Sequence, residues 1–200
     1  LVGSEMCIRD RAENWSMEEL SSVAIDDEKA GETIVDYLIE HGHTKIAEIG
    51  ANLELSQTAR LRHNGYLNSL KKHGITPDER YYERARFSYD SAYRAMKKLL
   101  EKNIEITAVY AISDVMAIGA IRAILDKGLR VPEDISITGF DGSTLAEYYN
   151  PKIVSIRQPH KDMAARSVEL LFSMIDLHKG SCHEIIPFEL TEGESVARID

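Results

Sequence analysis

The sequence predicts an α/β protein with a doubly wound parallel sheet. From Ser22 onward, short β-branched runs alternate with amphipathic segments of helical period. Several of those helical segments close on a glycine before the next strand begins. Such alternation builds βαβ units, which set strands in parallel with helices on both faces of the sheet. With 200 residues, 44% of them hydrophobic, the chain can bury an ordinary core in one domain or two small ones.

Each element has its own signal. Residues 23–25 read as a first strand. Ala30, Ile34 and Leu38 lie at helical spacing and predict a helix over 29–41, stopped by Gly42. Residues 45–49 form the next strand. A helix over 59–73 follows, with Thr58 as its cap and Gly74 as its stop. Residues 81–85 are a third strand, and Ser88 caps a helix over 89–101 whose apolar face is Ala92, Met96, Leu99 and Leu100. The run 107–112 is a buried fourth strand. The helix over 114–127 carries Ala117, Ile121, Ile124 and Leu125 and ends at Gly128. Strands at 135–138 and 153–156 come next, then a long helix over 160–177 carrying Met163, Val168, Leu171 and Ile175. A last strand spans 184–190.

Composition excludes several function classes. The net charge is −9, and 28% of residues are charged without long runs of one sign. Binding along a phosphate backbone needs a basic stripe. The doublets Lys71-Lys72 and Lys97-Lys98 fall late in helical segments, where cations suit the helix dipole, so they read as solvated helix ends. Strong nucleic-acid binding by this chain is not expected. Cys7 and Cys182 have neither metal-ligand spacing nor the numbers of a disulfide framework, which fits a reducing cytoplasm. No apolar run approaches the ~20 residues of a membrane span, and the first residues do not read as a secretory signal. Residues 1–13 carry no periodicity and are expected to be a disordered or non-native leader.

In open α/β sheets, ligands bind beyond the carboxyl ends of the strands. In this sequence those ends carry Asp26 and Asp27; Asn52, Ser56 and Thr58; Phe87 and Ser88; Ser113 and Asp114; Asp141; and Arg157 with Gln158. Carboxylates, hydroxyls, an amide and an arginine around an aromatic ring suit a polyhydroxylated or purine-like ligand. Each group also has a plain structural reading. Asp26, Ser88, Ser113 and Asp114 sit where helices begin and serve equally as caps. Asp141 lies between Gly139-Phe140 and Gly142, where a turn aspartate is ordinary. Phe87 fits a core position as well. Arg62 falls in the first turn of its helix, where the dipole mildly disfavours a cation, and this leans towards a function.

Enzyme signatures are missing. Gly50-Ala51-Asn52 is not a dinucleotide fingerprint, and there is no P-loop and no G-x-S-x-G elbow. The seven histidines are scattered, and His41 and His43, the close pair, have no third ligand nearby. No catalytic residue, metal site or cofactor is expected.

Several segments carry a resemblance. The residues Asp26-Asp27-Glu28-Lys29-Ala30-Gly31, then Tyr37 to Ala47, resemble the "D-x-x-x-A-G … Y-L-x-x-x-G-H-x-x-I-A" stretch of LacI/GalR repressors. Arg62-His63-Asn64-Gly65-Tyr66 is similar to that family's "R-x-x-G-Y", and 113–120 to its "S-D-x-M-A-x-G-A". Residues 131–141 match "V-P-x-D-I-S-x-x-G-F-D", and Ile156-Arg157-Gln158-Pro159 and Glu194-Ser195-Val196 also fit. The order and spacing of these motifs, from about Ser22 to Val196, are more specific than any one of them.

The resemblance implies a periplasmic-binding-protein-like fold of two α/β lobes with an effector between them. The family's chain crossovers between lobes would fall near Asp26, Gln158 and Glu189. Residues 27–158 and 189–200 would then form a complete effector-binding lobe, and 20–26 with 159–188 part of the N-terminal lobe. The helix-turn-helix domain that reads operator DNA is expected to be absent. Carried over by motif, the ligand contacts are Asp26, Thr58, Arg62, Phe87, Ser113 and Asp141. Ser56 and Ser113 stand where longer polar residues often occur, and Asp141-Gly142 replaces a common Asp-Asp, so the ligand's identity stays open. The reading is a cytoplasmic, dimeric effector domain of a repressor that binds a small polar molecule, a sugar first. Operator DNA would be a partner only through the helix-turn-helix domain. The runner-up is a periplasmic sugar-binding protein of a transporter, and an enzyme ranks third.

Overall fold

A computed structural model describes residues 21–177 and 182–199. The chain runs β1 (Ser22–Ala24), α1 (Asp27–Glu40), β2 (Ile46–Gly50), α2 (Gln57–Lys72), β3 (Tyr82–Arg84), α3 (Tyr89–Glu101) and β4 (Ala108–Ala111). It continues through α4 (Asp114–Asp126), β5 (Ser136–Thr138), α5 (Thr144–Tyr148), β6 (Ser155–Arg157), α6 (His160–Leu177), β7 (His183–Ile185) and β8 (Glu189–Thr191). The expected leader over 1–13, with Cys7, lies outside the described residues, as does the side chain of Ile175.

The helical spacing locates each long helix, and the caps set where they begin. Asp26 accepts the backbone N–H of Lys29 and starts α1 two residues before the expected position. Ser56, not Thr58, caps α2: its extended backbone lets Oγ accept the N–H of Ala59 at 3.2 Å. Thr58 is thereby the second residue of the helix, and it is buried. Ser88 and Ser113 cap α3 and α4. Gly42, Gly74 and Gly128, the expected stops, all adopt positive φ.

Strands β3, β2, β4 and β5 form a four-stranded sheet in that order, parallel throughout. The chain steps one way from β2 to β3 and the other way from β3 to β4. Right-handed crossovers therefore put α2 and α3 on opposite faces. Helix α1 lies along α2, and α3 along α4. Buried apolar side chains fill both interfaces, among them Ile34, Leu38, Ile49, Met96, Leu99, Ile112, Met116, Ile121 and Ile124.

Two smaller sheets flank this body. β1 pairs in parallel with β7, and β6 pairs antiparallel with β8. Parallel bridges Thr138–Val154 and Asp141–Arg157 connect the β6 segment to the end of β5. The single last strand expected over 184–190 is thus two strands in different sheets. Pro187 sits between them, with a fixed φ and no N–H to extend a ladder. The helix α5, capped by Ser143, had no expectation attached to it.

Candidate ligand-binding site

The site begins where α1 crosses α2. Gly31 and Gly65 meet at this crossing: a Cβ on Gly31 would lie 2.7 Å from the carbonyl oxygen of Arg62, and one on Gly65 would strike the carbonyl of Glu28. Bare backbones on both helices permit this approach. It brings Asp27, in the first turn of α1, against Arg62 in the second turn of α2. Arg62 Nε donates to Asp27 Oδ1 at 2.9 Å.

Arg62 is only 1% exposed. Its Nη1 donates to the carbonyl oxygen of Ile112 at 2.6 Å and faces Asp141 Oδ1 at 3.5 Å. The guanidinium carbon lies 3.5 Å from the centre of the Phe140 ring, a cation–π stack in a dry setting. So α1, α2, the end of β4 and the end of β5 all converge on one side chain. A buried cation is tolerable only when paired and hydrogen-bonded, and here both conditions hold.

Asp141 sits at φ 107°, a conformation that aspartate tolerates better than most residues. Its N–H donates to the carbonyl of Ile156 at 2.8 Å, and Gln158 Nε2 donates to its Oδ1 at 2.7 Å. Burial pushes the Asp141 carboxyl up to about 6, against the downward pull of Arg62. A carboxylate held this way gains from any hydroxyl or N–H that a ligand offers it.

Asp114 has a different job. Its oxygens accept Ser155 Oγ at 2.6 Å and the N–H of Ser143 at 2.6 Å, and its own N–H donates to Phe140. Burial raises its carboxyl, and Ser155 and Ser143 offset part of that rise. Asp114 thus ties β6 and α5 to the start of α4 and sets the loop that carries Asp141.

Of the six residues expected to touch a ligand, the structure brings Arg62 and Asp141 together directly. Thr58 precedes Arg62 by one turn of α2, and Ser113 follows Ile112, whose carbonyl receives Arg62. Asp26 is exposed and caps α1; the ion pair belongs to its neighbour Asp27. Phe87 follows β3 and is 37% exposed, whereas the ring under the guanidinium is Phe140. Sequence reasoning missed Phe140 as that ring, although it stands beside Asp141 in the motif. His43 is occupied on both ring nitrogens, by Thr107 Oγ1 and the carbonyl of Ala197, which makes it structural. Among the described residues no helix is long and apolar enough to cross a membrane.

Comparison with known proteins places this geometry. A family model described as periplasmic binding protein-like domain matches residues 35–196. The regulator MalR of Clostridium butyricum, an HTH-type transcriptional regulator, is 42% identical over 179 residues, which cover 90% of this chain and 53% of that protein. The HTH-type transcriptional repressor CytR of Escherichia coli K12 is 36% identical over 173 residues, 86% of this chain and 50% of that one. The chain spans about half the length of the curated relatives it matches. Among solved structures, the transcriptional regulator CelR–cellobiose complex superposes with a TM-score of 0.86 at 33% identity, over 92% of this chain and 57% of that one. A LacI-family regulator from Enterococcus faecium with bound ribose gives 0.85 at 27% identity, over 93% and 69%. With this match over most of its length, the chain belongs to the periplasmic binding protein-like domain family, in the form carried by LacI-family transcriptional regulators.

Proposed function

We propose that the chain binds a small polar effector, a sugar or a similar hydroxylated molecule, for a LacI-type transcriptional repressor, and catalyses no reaction. The observation that carries this reading is Arg62, buried between Asp27 and Asp141 with Phe140 beneath it. An immobile donor fork beside a raised carboxylate is a ready partner for ligand hydroxyls. Thr58, Ser113, Phe87 and Asp26 complete the rim in this reading. The relatives being HTH-type regulators favours it over a transporter's binding protein and points to the cytoplasm.

Residues 27–158 and 189–200 then form the effector lobe, and 20–26 with 159–188 belong to a second lobe. The pairing of β1 with β7, outside the four-stranded sheet, supports that division. Dimerisation would use the outer side of α4 and α5. Val115 and Ile118 are half-buried there, and Leu145 and Tyr148 are exposed. Operator DNA would be reached only through a helix-turn-helix domain outside the matched region.

A thermal-shift panel of monosaccharides, disaccharides, nucleobases and nucleosides tests the reading. A true ligand at one hundred times its Kd adds about 2.7 kcal/mol of stability. Ribose and cellobiose, bound by two structural neighbours, are the first compounds to try. A flat response across the whole panel contradicts the binding-module reading.

A further inference from the structure

The sheet face beneath α2 is unusually polar. Its register aligns Tyr82, Glu48, Tyr110 and Thr138 across the four strands in one row. Strand alternation sends all four to the same side, and Tyr66 of α2 stacks on Tyr110 there. Glu48 is wholly buried. Among the described residues, three atoms in the row, Glu48 Oε1, Tyr110 Oη and Thr138 Oγ1, have no hydrogen-bond partner. An apolar row would cost nothing here, so a buried carboxylate needs a reason.

The other oxygen of Glu48 meets His63 Nδ1 at 2.6 Å. His63 is the residue after Arg62 on α2. Its side chain keeps 18% exposure through a groove bordered by Leu53, Tyr66, Leu67, Pro77 and Tyr82. Solvent protons therefore reach His63 but not Glu48. Burial lowers the imidazole's proton affinity, yet the hydrogen bond and charge of Glu48 outweigh it and hold His63 above its usual range. Burial likewise raises Glu48. The groups facing the pair come from the neighbouring elements: Tyr82 from β3, Tyr110 from β4, Tyr66 from α2, and Asp78 and Glu79 from the turn before β3; Tyr110 in turn interacts with Arg62. Arg62 links them onward to Asp27 and Asp141.

We propose that the Glu48–His63 pair is a proton-sensitive seat for α2, one that sets the position of Arg62 and so couples effector binding to pH. The proposal rests on the reading of the Arg62–Asp141 crevice as the effector site. With His63 protonated, an ion pair pins α2 to β2. When His63 loses its proton, Glu48 keeps a buried charge with no counterpart, beside an oxygen that already has no donor. Moving α2 off the sheet relieves that, and the shift carries Arg62 away from Asp141. Affinity therefore falls on the alkaline side through the pair. It falls on the acid side through Asp141, which protonates as the pH drops through about 6.

The test measures Kd against pH from 5 to 9 by calorimetry, for the full chain and for the double variant Glu48→Leu/His63→Leu. The probe is the panel compound with the largest thermal shift, ribose and cellobiose tried first. The wild type should give a bell-shaped profile whose alkaline limb spans roughly tenfold, the factor carried by a one-unit difference in His63 titration between free and bound chain. The double variant should keep the acid limb and lose the alkaline one. In parallel, NMR follows the His63 ring in the wild type, which needs no variant to fold. His63 should titrate at higher pH with ligand than without. An alkaline limb that survives in the double variant, or a His63 titration identical with and without bound ligand, overturns the proposal and leaves the site reading standing. Absence of binding at every pH sinks the site reading, and the proposal with it.

Discussion

At the residue scale, Asp141 carries opposing demands from stability and binding. Its folded proton affinity is higher than the ordinary value of 3.8, at about 6. The folded chain therefore holds this proton more tightly than the unfolded one. The associated stability is fully present below about pH 4 and is lost as the pH rises through about 6, reaching about 3 kcal/mol by neutrality. Asp141→Asn keeps a residue that tolerates positive φ and removes the charge. Urea denaturation should show the variant more stable than wild type at pH 7, by about 1–3 kcal/mol, with the difference vanishing near pH 4. Arg62 and Asp141 were legible because their motifs carry them; the first-turn argument for Arg62 does not hold, since the helix begins at Gln57 and puts Arg62 in its second turn. Asp27 and Phe140 were harder to read. Each is adjacent in sequence to a residue expected to contact the ligand, Asp26 and Asp141, and one step along a helix or turn changes which way a side chain points. Only the crossing of α1 over α2 settles that Asp27 meets Arg62 while Asp26 caps its helix.

At the element scale, the α1–α2 crossing holds the site together. Gly65→Ala places a methyl against the carbonyl of Glu28, where no flexible side chain is available to yield. The helices must separate, and overpacking of this kind costs about 1–3 kcal/mol. The same separation stretches the Asp27–Arg62 bond, so ligand affinity should fall along with the melting temperature. An alanine variant that melts and binds like wild type would show that the crossing does not position Arg62. Helix period and glycine stops located the four long helices around the main sheet, since both are local signals. The break at Pro187 and the short helix α5 were not legible. The seven-residue run 184–190 holds no information about which strand each half will join, and five residues are too few for periodicity.

At the scale of the whole molecule, exposed apolar side chains mark where other protein surface belongs. Val168, Leu171 and Phe172 on α6 and Ile185 on β7 stand out near the small sheet, and Leu145 and Tyr148 on α5. The α5 group belongs to the dimer face in the proposed reading. Leu145→Asp/Tyr148→Asp should shift the chain from dimer to monomer in sedimentation analysis while its far-UV circular dichroism stays that of a folded chain; an unchanged dimer would move the interface elsewhere. The claim on which everything else depends is that Arg62 and Asp141 together form the ligand's anchor. Calorimetric titration of the panel's best compound into wild type and Asp141→Asn tests it most directly. The account predicts that the variant, folded and more stable, binds at least about tenfold more weakly, the loss of one charge-assisted hydrogen bond. Equal affinity in a folded Asp141→Asn chain would contradict it.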